Sequence, residues 1–333
     1  MNPEAHRWGK FTAVLLVLAI VFAFLARQDL GRYSLPPTAA LAIYVCFMLL
    51  LLLALVPAVQ PARSLISHAF SGRHAGGGLF FLPIWLLPYL LYAAGTRDFH
   101  WSALLRLLAL AAPAPLLYLA FPVRKLTAFS WQDALLGTSM IVAVLFHGLT
   151  AIWTVPVNLD FMSRLFLLTV ASWTWTFLRP VPGLGYRLLF SRQLLQTAAL
   201  NFALFALLAL PASLALHFTT WNPHWRGPAR FCLDFLEIFL FIALLEELFF
   251  RGFLQNLLSH TLRAPWRAQL AASCLFGLSH IFHAPVPNWR YVALASVAGW
   301  FYGTAFRSSG SLIASSLTHA LVDTAWRTWF SKI

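Results

Sequence analysis

Two adjacent glutamates inside an apolar segment are the residues of this sequence whose type and spacing point most directly to chemistry. Glu246 and Glu247 are followed four residues later by Arg251. A charged side chain at the centre of a membrane-spanning helix costs about 2.5 to 3.5 kcal/mol on translocon-based scales. On a helix, Glu247 and Arg251 share one face and can pair, whereas Glu246 points about 100° away from Glu247. The spacing predicts a supporting carboxylate beside a second one that can act as a catalytic base.

A purely structural role is the alternative for this segment. A Glu/Arg pair can stabilise helix packing without taking part in a reaction, although a charge within a membrane marks function by default. A structural pair does not need the second glutamate, and Glu246 therefore favours the catalytic interpretation.

Two later apolar segments each contribute a histidine. His280 lies four residues after Phe276, and Asp323 lies four residues after His319 on the same helical face. Packing is the structural alternative for His280, and Asp323 could serve only to orient the His319 imidazole. A carboxylate and histidines around a water-holding cavity are suited to hydrolysis, because Glu accepts a proton from water while His shares or orients it. Further donors can stabilise the tetrahedral oxyanion.

The three motifs, taken in order, resemble those of the CPBP family, the CAAX-processing and bacteriocin-processing glutamic intramembrane proteases. Glu-Glu-x-x-x-Arg is followed by Phe-x-x-x-His and then by His-x-x-x-Asn/Asp, on three predicted helices with one helix between the last two. The resemblance covers about residues 190–333. It implies a helical core with an active site inside the membrane.

The resemblance also implies a role for each matching residue. Glu246 and His280 would activate the nucleophilic water, and His319 and Asp323 would stabilise the oxyanion. The resemblance further implies that this reaction needs no cofactor or metal, and that the substrate is a membrane protein or a lipid-anchored peptide.

The remaining residues of the motifs would support the site. Glu247 and Arg251 would hold the site together and help to position the substrate. The third motif often ends in Asn, whose amide donates a hydrogen bond, whereas an ionised Asp323 only accepts. Asp323 can act if a low-dielectric cavity keeps it protonated, or it can hold His319 instead.

The elements that carry these residues are predicted to be helices that cross a bilayer. Hydrophobic residues make up 60% of the 333 and charged residues 10%, whereas a soluble domain carries roughly 25% charged residues. A spanning helix needs about 20 apolar residues. The sequence predicts an all-α polytopic membrane protein with eleven spans, or ten if the short sixth one is interfacial or re-entrant. The spans lie near 11–26, 37–58, 79–96, 101–121, 134–154, 163–178, 193–216, 231–258, 268–284, 290–306 and 311–328.

The net charge of +13 fits a membrane protein better than a nucleic-acid-binding one. Of the 23 Lys and Arg residues, 21 fall at or beyond the ends of apolar segments, as membrane-flanking anchors do. With the N-terminus in the cytoplasm, the cytoplasmic side holds 12 of them and the opposite side nine. The positive-inside rule therefore favours a cytoplasmic N-terminus. The excess of Arg over Lys favours a GC-rich bacterium, and hence its inner membrane.

The acidic residues suggest two regions. Five lie at the tail or at span ends, Asp133 among them, and five lie within apolar spans of the last hundred residues. We predict a multi-span region of unknown role at 1–185 and a protease core at 186–333. Asp234 and Glu237 are interpreted as first-turn residues favoured by the helix dipole.

A stripe of small residues predicts one close helix contact. Ala295, Gly299 and Gly303 recur every four residues, and such small-xxx-small spacing lets helix backbones approach each other.

The hypothesis that follows is a glutamic-type intramembrane endopeptidase. A zinc protease is a second enzymatic hypothesis, since Glu, His and Asp are all zinc ligands, although no His-Glu-x-x-His motif is present. A non-catalytic membrane scaffold, immunity factor or transporter is the alternative outside enzymes, because transporters also bury charges within the membrane.

Overall fold

Helices make up most of the chain in the computed structural model, which describes residues 3–30, 33, 35–70, 75–146 and 148–332. The chain divides into two units: unit 1 comprises Met1–Arg124 and Trp131–Pro180, and unit 2 comprises Lys125–Ser130 and Val181–Ile333. The predicted boundary near residue 185 stays a prediction.

Unit 1 is built from eight α-helices among its described residues. They are α1 (Pro3–Leu30), α2 (Pro37–Leu55), α3 (Gln60–Phe70), α4 (Phe81–Thr96), α5 (Trp101–Ala111), α6 (Pro113–Ala120), α7 (Trp131–Leu145) and α8 (Asp160–Trp173). Short 3₁₀ turns at Val56–Ala58 and Ala75–Phe80 and a π-helical turn at Thr174–Leu178 extend them. The strongly apolar α2 packs against both α4 and α8.

A buried ion pair lies inside unit 1. Arg179 Nε and Nη2 donate to the two carboxylate oxygens of Asp133 at 3.1 and 3.0 Å, and the Tyr118 hydroxyl donates to Asp133 at 2.9 Å. Asp133 is fully buried and Arg179 is 1% exposed. Asp133 lies in the first turn of α7, at the span end where it was predicted, but its carboxylate is enclosed by donors and not by solvent.

Unit 2 contains the predicted site residues and also holds a small β-ribbon. Its elements are α9 (Arg192–Ala215), β1 (Thr219–Trp221), α10 (Pro228–Ile238), α11 (Leu244–Glu247), α12 (Asn256–Leu262), α13 (Pro265–Leu278), α14 (Trp289–Ser309), α15 (Leu312–Trp329) and β2 (Phe330–Lys332). β1 and β2 pair antiparallel, with Thr220 opposite Ser331. The ribbon is the one departure from an all-α fold in the described residues.

One continuous helical segment carries both adjacent glutamates. α10, α11 and α12 are joined by π-helical segments at Phe239–Ala243 and Leu248–Gln255. The segment begins where Gly227, with φ of +92°, precedes Pro228, because proline is pre-organised for the first position of a helix. π-helical turns are rare and often mark functional sites, and here they lie on both sides of α11.

Local signals set the ends of the two helices that complete the site. Asn288 caps α14 by accepting a hydrogen bond from the Tyr291 amide at 3.0 Å, and Ser311 caps α15 through the Ile313 amide. Between the two helices Gly310 adopts φ of +63°, the left-handed conformation that glycine tolerates best. The tight turn makes α14 and α15 direct neighbours.

The small-residue stripe of α14 has the close packing that was predicted for it. A Cβ on Gly299 would lie 3.2 Å from Arg251 Nη2, and one on Gly303 would lie 2.5 Å from Gln255 Oε1. On α13, a Cβ on Gly277 would overlap Ser296 Oγ and the Val292 carbonyl oxygen. Glycine at these positions therefore lets α14 approach its neighbours.

Four helical stretches in the described part of the chain are long and apolar enough to cross a membrane. They are Pro37–Ala58, Gly78–Thr96, Trp101–Ala120 and Arg192–Ala215, and the shorter apolar helices include Phe11–Arg27 and Trp131–Leu145. A polytopic helical architecture agrees with this finding, whereas the count of ten or eleven spans stays a prediction.

Several predicted spans differ from the helices in the structure. The span expected at 134–154 ends at Leu145, and that expected at 268–284 ends at Leu278. The amphipathic α3 was not predicted, because its polar residues interrupt the apolar pattern. The span at 101–121 is interrupted at Ala112, directly before Pro113, which cannot donate a backbone hydrogen bond.

Candidate active site

The Glu247 carboxylate is enclosed by three donors. Arg251 Nε donates to Oε2 at 3.1 Å, the Ser315 hydroxyl donates to the same oxygen, and His319 Nδ1 donates to Oε1 at 2.9 Å. Glu247 and Arg251 are both 0% exposed. The predicted ion pair is therefore present, and a carboxylate with both oxygens engaged is suited to holding its neighbours in place.

Glu246 has a different environment, although it is the adjacent residue. One third of its side chain (33%) is exposed, and its Oε2 lies 4.0 Å from His319 Nε2. Its ionisable neighbours are His319, His280, Asp323 and Glu247. The predicted difference between the two glutamates is thus found: one carboxylate is saturated with donors and the other is accessible.

His319 lies between the two glutamates and Asp323. Its Nδ1 contacts Glu247, and its Nε2 lies 3.4 Å from Asp323 Oδ2. Tyr302 stacks on the imidazole at 4.5 Å between ring centroids, and the ring of Phe276 meets it edge-on at 5.7 Å. Because the ring is 3% exposed and held on several sides, its Nε2 is directed towards Glu246 and Asp323.

His280 lies just beyond the helix that was expected to carry it. α13 ends at Leu278, and the Phe276 carbonyl near its end accepts hydrogen bonds from Ser279 Oγ at 2.7 Å and His280 Nδ1 at 2.8 Å. These side chains satisfy a carbonyl that the ending helix leaves open. A neutral His280 that donates from Nδ1 presents Nε2 as an acceptor.

Phe276 is the aromatic residue around which the site packs. Its ring lies 4.9 Å from the His280 ring and 5.7 Å from those of Tyr302 and His319. The Arg251 guanidinium carbon lies 5.4 Å from the same ring, a distance at which a cation is attracted to the π face. The side chain therefore links the second motif to the other two.

Arg251 is a fully buried cation. Its Nε pairs with Glu247, while Nη1 and Nη2 have no hydrogen-bond partner among the described residues. The bare Cα of Gly299 leaves room for Nη2. Arg251 therefore holds one oxygen of Glu247 while His319 holds the other.

The three motifs therefore meet in unit 2, together with three residues to which sequence reasoning had given no role in the site. Ser315 lies one helical turn before His319, a spacing that could have identified it. Tyr302 stacks on His319 and the Phe276 ring meets His319 edge-on. Both contacts arise from tertiary packing, and only the position of Phe276 in its motif gave any signal.

Asp234 and Glu237 are balanced by arginines. α10 begins at Pro228, so neither residue lies in the first turn as predicted. Arg230 Nη2 lies 2.7 Å from Asp234 Oδ1 and 3.7 Å from Glu237 Oε2. The helix-dipole interpretation was wrong because the helix starts earlier than its apolar pattern.

The described residues contain no group of three or more His, Cys, Asp or Glu side chains arranged to hold a metal ion. The zinc protease stays a hypothesis.

Comparison with known proteins agrees with the motif resemblance. Residues 228–325 match the family model of the Rce1-like type II CAAX prenyl endopeptidases. The matched range contains all three motifs and confirms the predicted resemblance to the CPBP proteases. No curated protein and no solved structure matches the chain. The apolar helices and this match together support an integral membrane protein.

Proposed function

We propose that this protein is a glutamic-type intramembrane endopeptidase that cuts a membrane-associated or C-terminally tagged substrate. The observation that carries the proposal is the contrast between a donor-saturated Glu247 and an accessible Glu246 beside His319. The family match over the same residues supports the reaction class. The cytoplasmic N-terminus and the bacterial inner membrane stay predictions.

In the proposed reaction, Glu246 is the general base. A water between Glu246 and the Nε2 of His280 loses a proton to the carboxylate and attacks the carbonyl carbon of the substrate. The proton then passes from Glu246 to the leaving amine as the C–N bond breaks. The products are a new carboxylic acid and a new amine; the acid's proton then passes to the amine, which leaves a carboxylate and an ammonium group, so atoms and charges balance.

The oxyanion of the tetrahedral intermediate needs donors. His319 supplies one from Nε2 when its ring is doubly protonated, a form that the Glu247 carboxylate stabilises by accepting from Nδ1. Asp323, next to the same Nε2, supplies a second donor if it is protonated. Glu247 and Arg251 are positioning residues that act through His319.

A comparison of wild type with Glu246→Gln tests this proposal. General-base catalysis contributes about 10²- to 10⁴-fold, so the variant should lose cleavage to that extent while keeping its fold. Each form is expressed in a deletion strain, and terminal peptides of the membrane fraction are quantified by mass spectrometry. We expect at least one membrane precursor to accumulate uncut only with Glu246→Gln.

Asp160→Asn is the control, because Asp160 is an exposed carboxylate in the first turn of α8. It should process the precursor as wild type does. Identical processing by wild type and Glu246→Gln would contradict the proposal and favour a scaffold, immunity factor or transporter. Cleavage that a chelator abolishes and zinc restores would favour the zinc protease instead.

A further inference from the structure

A cavity lies where α6 ends and α7 begins. Its volume is about 380 Å³, inside the range of about 300 to 1,000 Å³ that is usual for ligand sites. Its walls come from the end of α6, from the loop that follows and from the first turn of α7. They are formed by Ala120, Phe121, Pro122, Arg124, Trp131 and Gln132. All six residues belong to unit 1, so one unit forms the whole cavity.

Two hydrogen bonds fix the helix ends that frame the cavity. Gln132 Nε2 of α7 donates to the Phe121 carbonyl at 3.2 Å, and Gln132 is 7% exposed. One residue further along α7, Asp133 accepts from the Tyr118 hydroxyl of α6 at 2.9 Å. The cavity is therefore pre-formed, and a ligand does not have to order its walls on binding.

Arg124 gives the cavity an uncompensated positive charge. Its side chain is exposed and makes no hydrogen bond or ion pair with any residue that the structure describes. Asp133 is the only acidic residue between Asp98 and Asp160 in the sequence, and both of its carboxylate oxygens already accept from Arg179. This stretch therefore offers no carboxylate to a cationic ligand, whereas an anion can pair with Arg124.

Two aromatic side chains form the apolar part of the cavity. The rings of Phe121 and Trp131 meet edge-on with centroids 5.2 Å apart, and the two residues are 51% and 55% exposed. The stretch Trp101–Ala120, which is long and apolar enough to cross a membrane, ends directly before Phe121. Tryptophan is enriched at the level of the lipid headgroups, where a membrane meets water. The end of a spanning stretch and the exposed Trp131 therefore place the cavity at this level.

An anionic phospholipid carries the two kinds of group that such a cavity binds. Arginine binds phosphate oxygens through two parallel hydrogen bonds, and basic pockets between membrane helices bind acidic lipid headgroups. Phosphatidylcholine also has a phosphate, but its cationic choline would lie near Arg124 with no carboxylate of this stretch to balance it. A headgroup with a net negative charge is therefore favoured.

We propose that this cavity is a binding site for the phosphate group of an anionic phospholipid, with Arg124 as the residue that pairs with the phosphate. Phe121 and Trp131 contact the glycerol and the first acyl carbons of the lipid. The inference goes beyond the proposed function and does not depend on hydrolysis. It gives unit 1 a ligand of its own, whereas the site around Glu246 lies in unit 2.

Native mass spectrometry of the full chain, purified in detergent and stripped of lipid, tests the inference. Phosphatidylglycerol and phosphatidylcholine with identical acyl chains are titrated separately. We expect the first phosphatidylglycerol to bind at least tenfold more tightly than the first phosphatidylcholine, a difference of about 1.4 kcal/mol. Arg124→Gln should reduce this preference to less than threefold, because it removes the charge and leaves the rest of the cavity in place.

Arg192→Gln is the matched control. Arg192 is also an exposed arginine at the end of a stretch that can cross a membrane, Arg192–Ala215, but it does not line the cavity. The variant removes the same charge and should keep the tenfold preference. Trp131→Leu is a second probe, and it should weaken the binding of phosphatidylglycerol at least threefold because the lipid loses an aromatic contact. Thermal unfolding checks that each variant is folded.

Inorganic phosphate distinguishes a lipid site from a site for a free anion. Displacement of phosphatidylglycerol by inorganic phosphate at an equal concentration would overturn the lipid assignment. Equal affinities of wild type for the two lipids, including no detectable binding of either, would do the same, and so would a preference that Arg124→Gln leaves unchanged. A preference that Arg124→Gln removes and Arg192→Gln keeps would support the inference.

Discussion

Neighbouring residues of the same type can have opposite roles when their surroundings differ. Glu247 accepts from Arg251, Ser315 and His319 and has no exposed surface, whereas Glu246 is one third exposed and 4.0 Å from His319 Nε2. A carboxylate that already accepts several hydrogen bonds is a poor acceptor for another proton. The rotation between consecutive helix positions is what gives each glutamate its own surroundings.

Asp323 allows a test of the oxyanion role at the scale of one residue. The amide of Asp323→Asn always offers a donor, whereas the carboxyl group offers one only when protonated. We expect Asp323→Asn to retain or increase kcat/KM for the identified substrate. Asp323→Leu should lose about 100- to 1,000-fold, the range seen when an oxyanion donor is removed elsewhere.

The outcome that contradicts this role is a loss in Asp323→Asn as large as that in Asp323→Leu. Such a result would show that the charge of Asp323 is needed, as expected if the carboxylate only holds His319 Nε2, 3.4 Å away. Both variants keep a side chain of similar size, so packing at this half-exposed position should change little.

The sequence could single out six candidate site residues because each belongs to a short motif with helical spacing. Ser315, Phe276 and Tyr302 complete the site through contacts between helices, and such contacts are not visible in the spacing along one helix. Phe276 illustrates the limit: its motif position suggested importance, but its contacts with His319 and Arg251 depend on the packing of α13 against its neighbours.

At the scale of helices, the contact between α13 and α14 depends on Gly277. A Cβ there would overlap Ser296 Oγ and the Val292 carbonyl oxygen, which is backbone and cannot rotate away. We expect Gly277→Ala to destabilise the protein by about 1 to 3 kcal/mol or more, as overpacking does. Because His280 follows three residues later, cleavage should fall as well. Thermal unfolding in detergent and the precursor assay measure the two effects.

Gly9→Ala is the control for this prediction. Gly9 lies in α1 and is exposed, and a methyl group added there would have no neighbour within 4 Å. The same substitution should therefore leave stability unchanged or raise it slightly, since alanine is the better helix former. Equal midpoints for wild type and Gly277→Ala would show that α14 can move aside at little cost.

Hydropathy identified most helices but not their irregularities. A window of apolar residues carries no signal for the π-helical segments on either side of α11, because these depend on how the helix packs. The same apolar window predicted that α13 continues through His280. The helix ends earlier, where the side chains of Ser279 and His280 donate hydrogen bonds to the Phe276 carbonyl. Side-chain competition for backbone groups decided this boundary.

At the scale of the molecule, each unit has its own buried arginine–carboxylate pair. In unit 1, Asp133→Asn leaves Arg179 buried with a weaker partner. Breaking a buried pair on one side costs about 3 to 5 kcal/mol, so we expect a large drop in the midpoint of thermal unfolding. Asp160→Asn, at the exposed start of α8, should leave the midpoint within error of wild type.

The double variant Asp133→Leu/Arg179→Met separates charge burial from packing. Replacing both charges by apolar groups is often neutral, so it should recover much of the stability that Asp133→Asn loses. If the double variant is no more stable than Asp133→Asn, the pair stabilises unit 1 through the packing of its side chains and through the hydrogen bond from Tyr118 to Asp133, and not through compensation of the buried charges. The sequence could not predict this pair, because 46 positions separate Asp133 from Arg179. Each of the two residues lies at the end of an apolar segment, where charged residues are expected to flank a membrane span and not to pair inside the protein.

The β-ribbon gives the protein a built-in optical signal, because Trp221 of β1 and the nearby Trp225 both stack on Trp329. Indoles whose rings lie 5.4 to 6.0 Å apart couple their electronic transitions, and a couplet in the far-ultraviolet circular dichroism spectrum, where the strong indole transition absorbs, reports that coupling. Trp329 is the last residue of α15, the helix that bears His319 and Asp323. Spectroscopy without any label can therefore follow, in detergent or in vesicles, whether this helix keeps its place while a peptide is added.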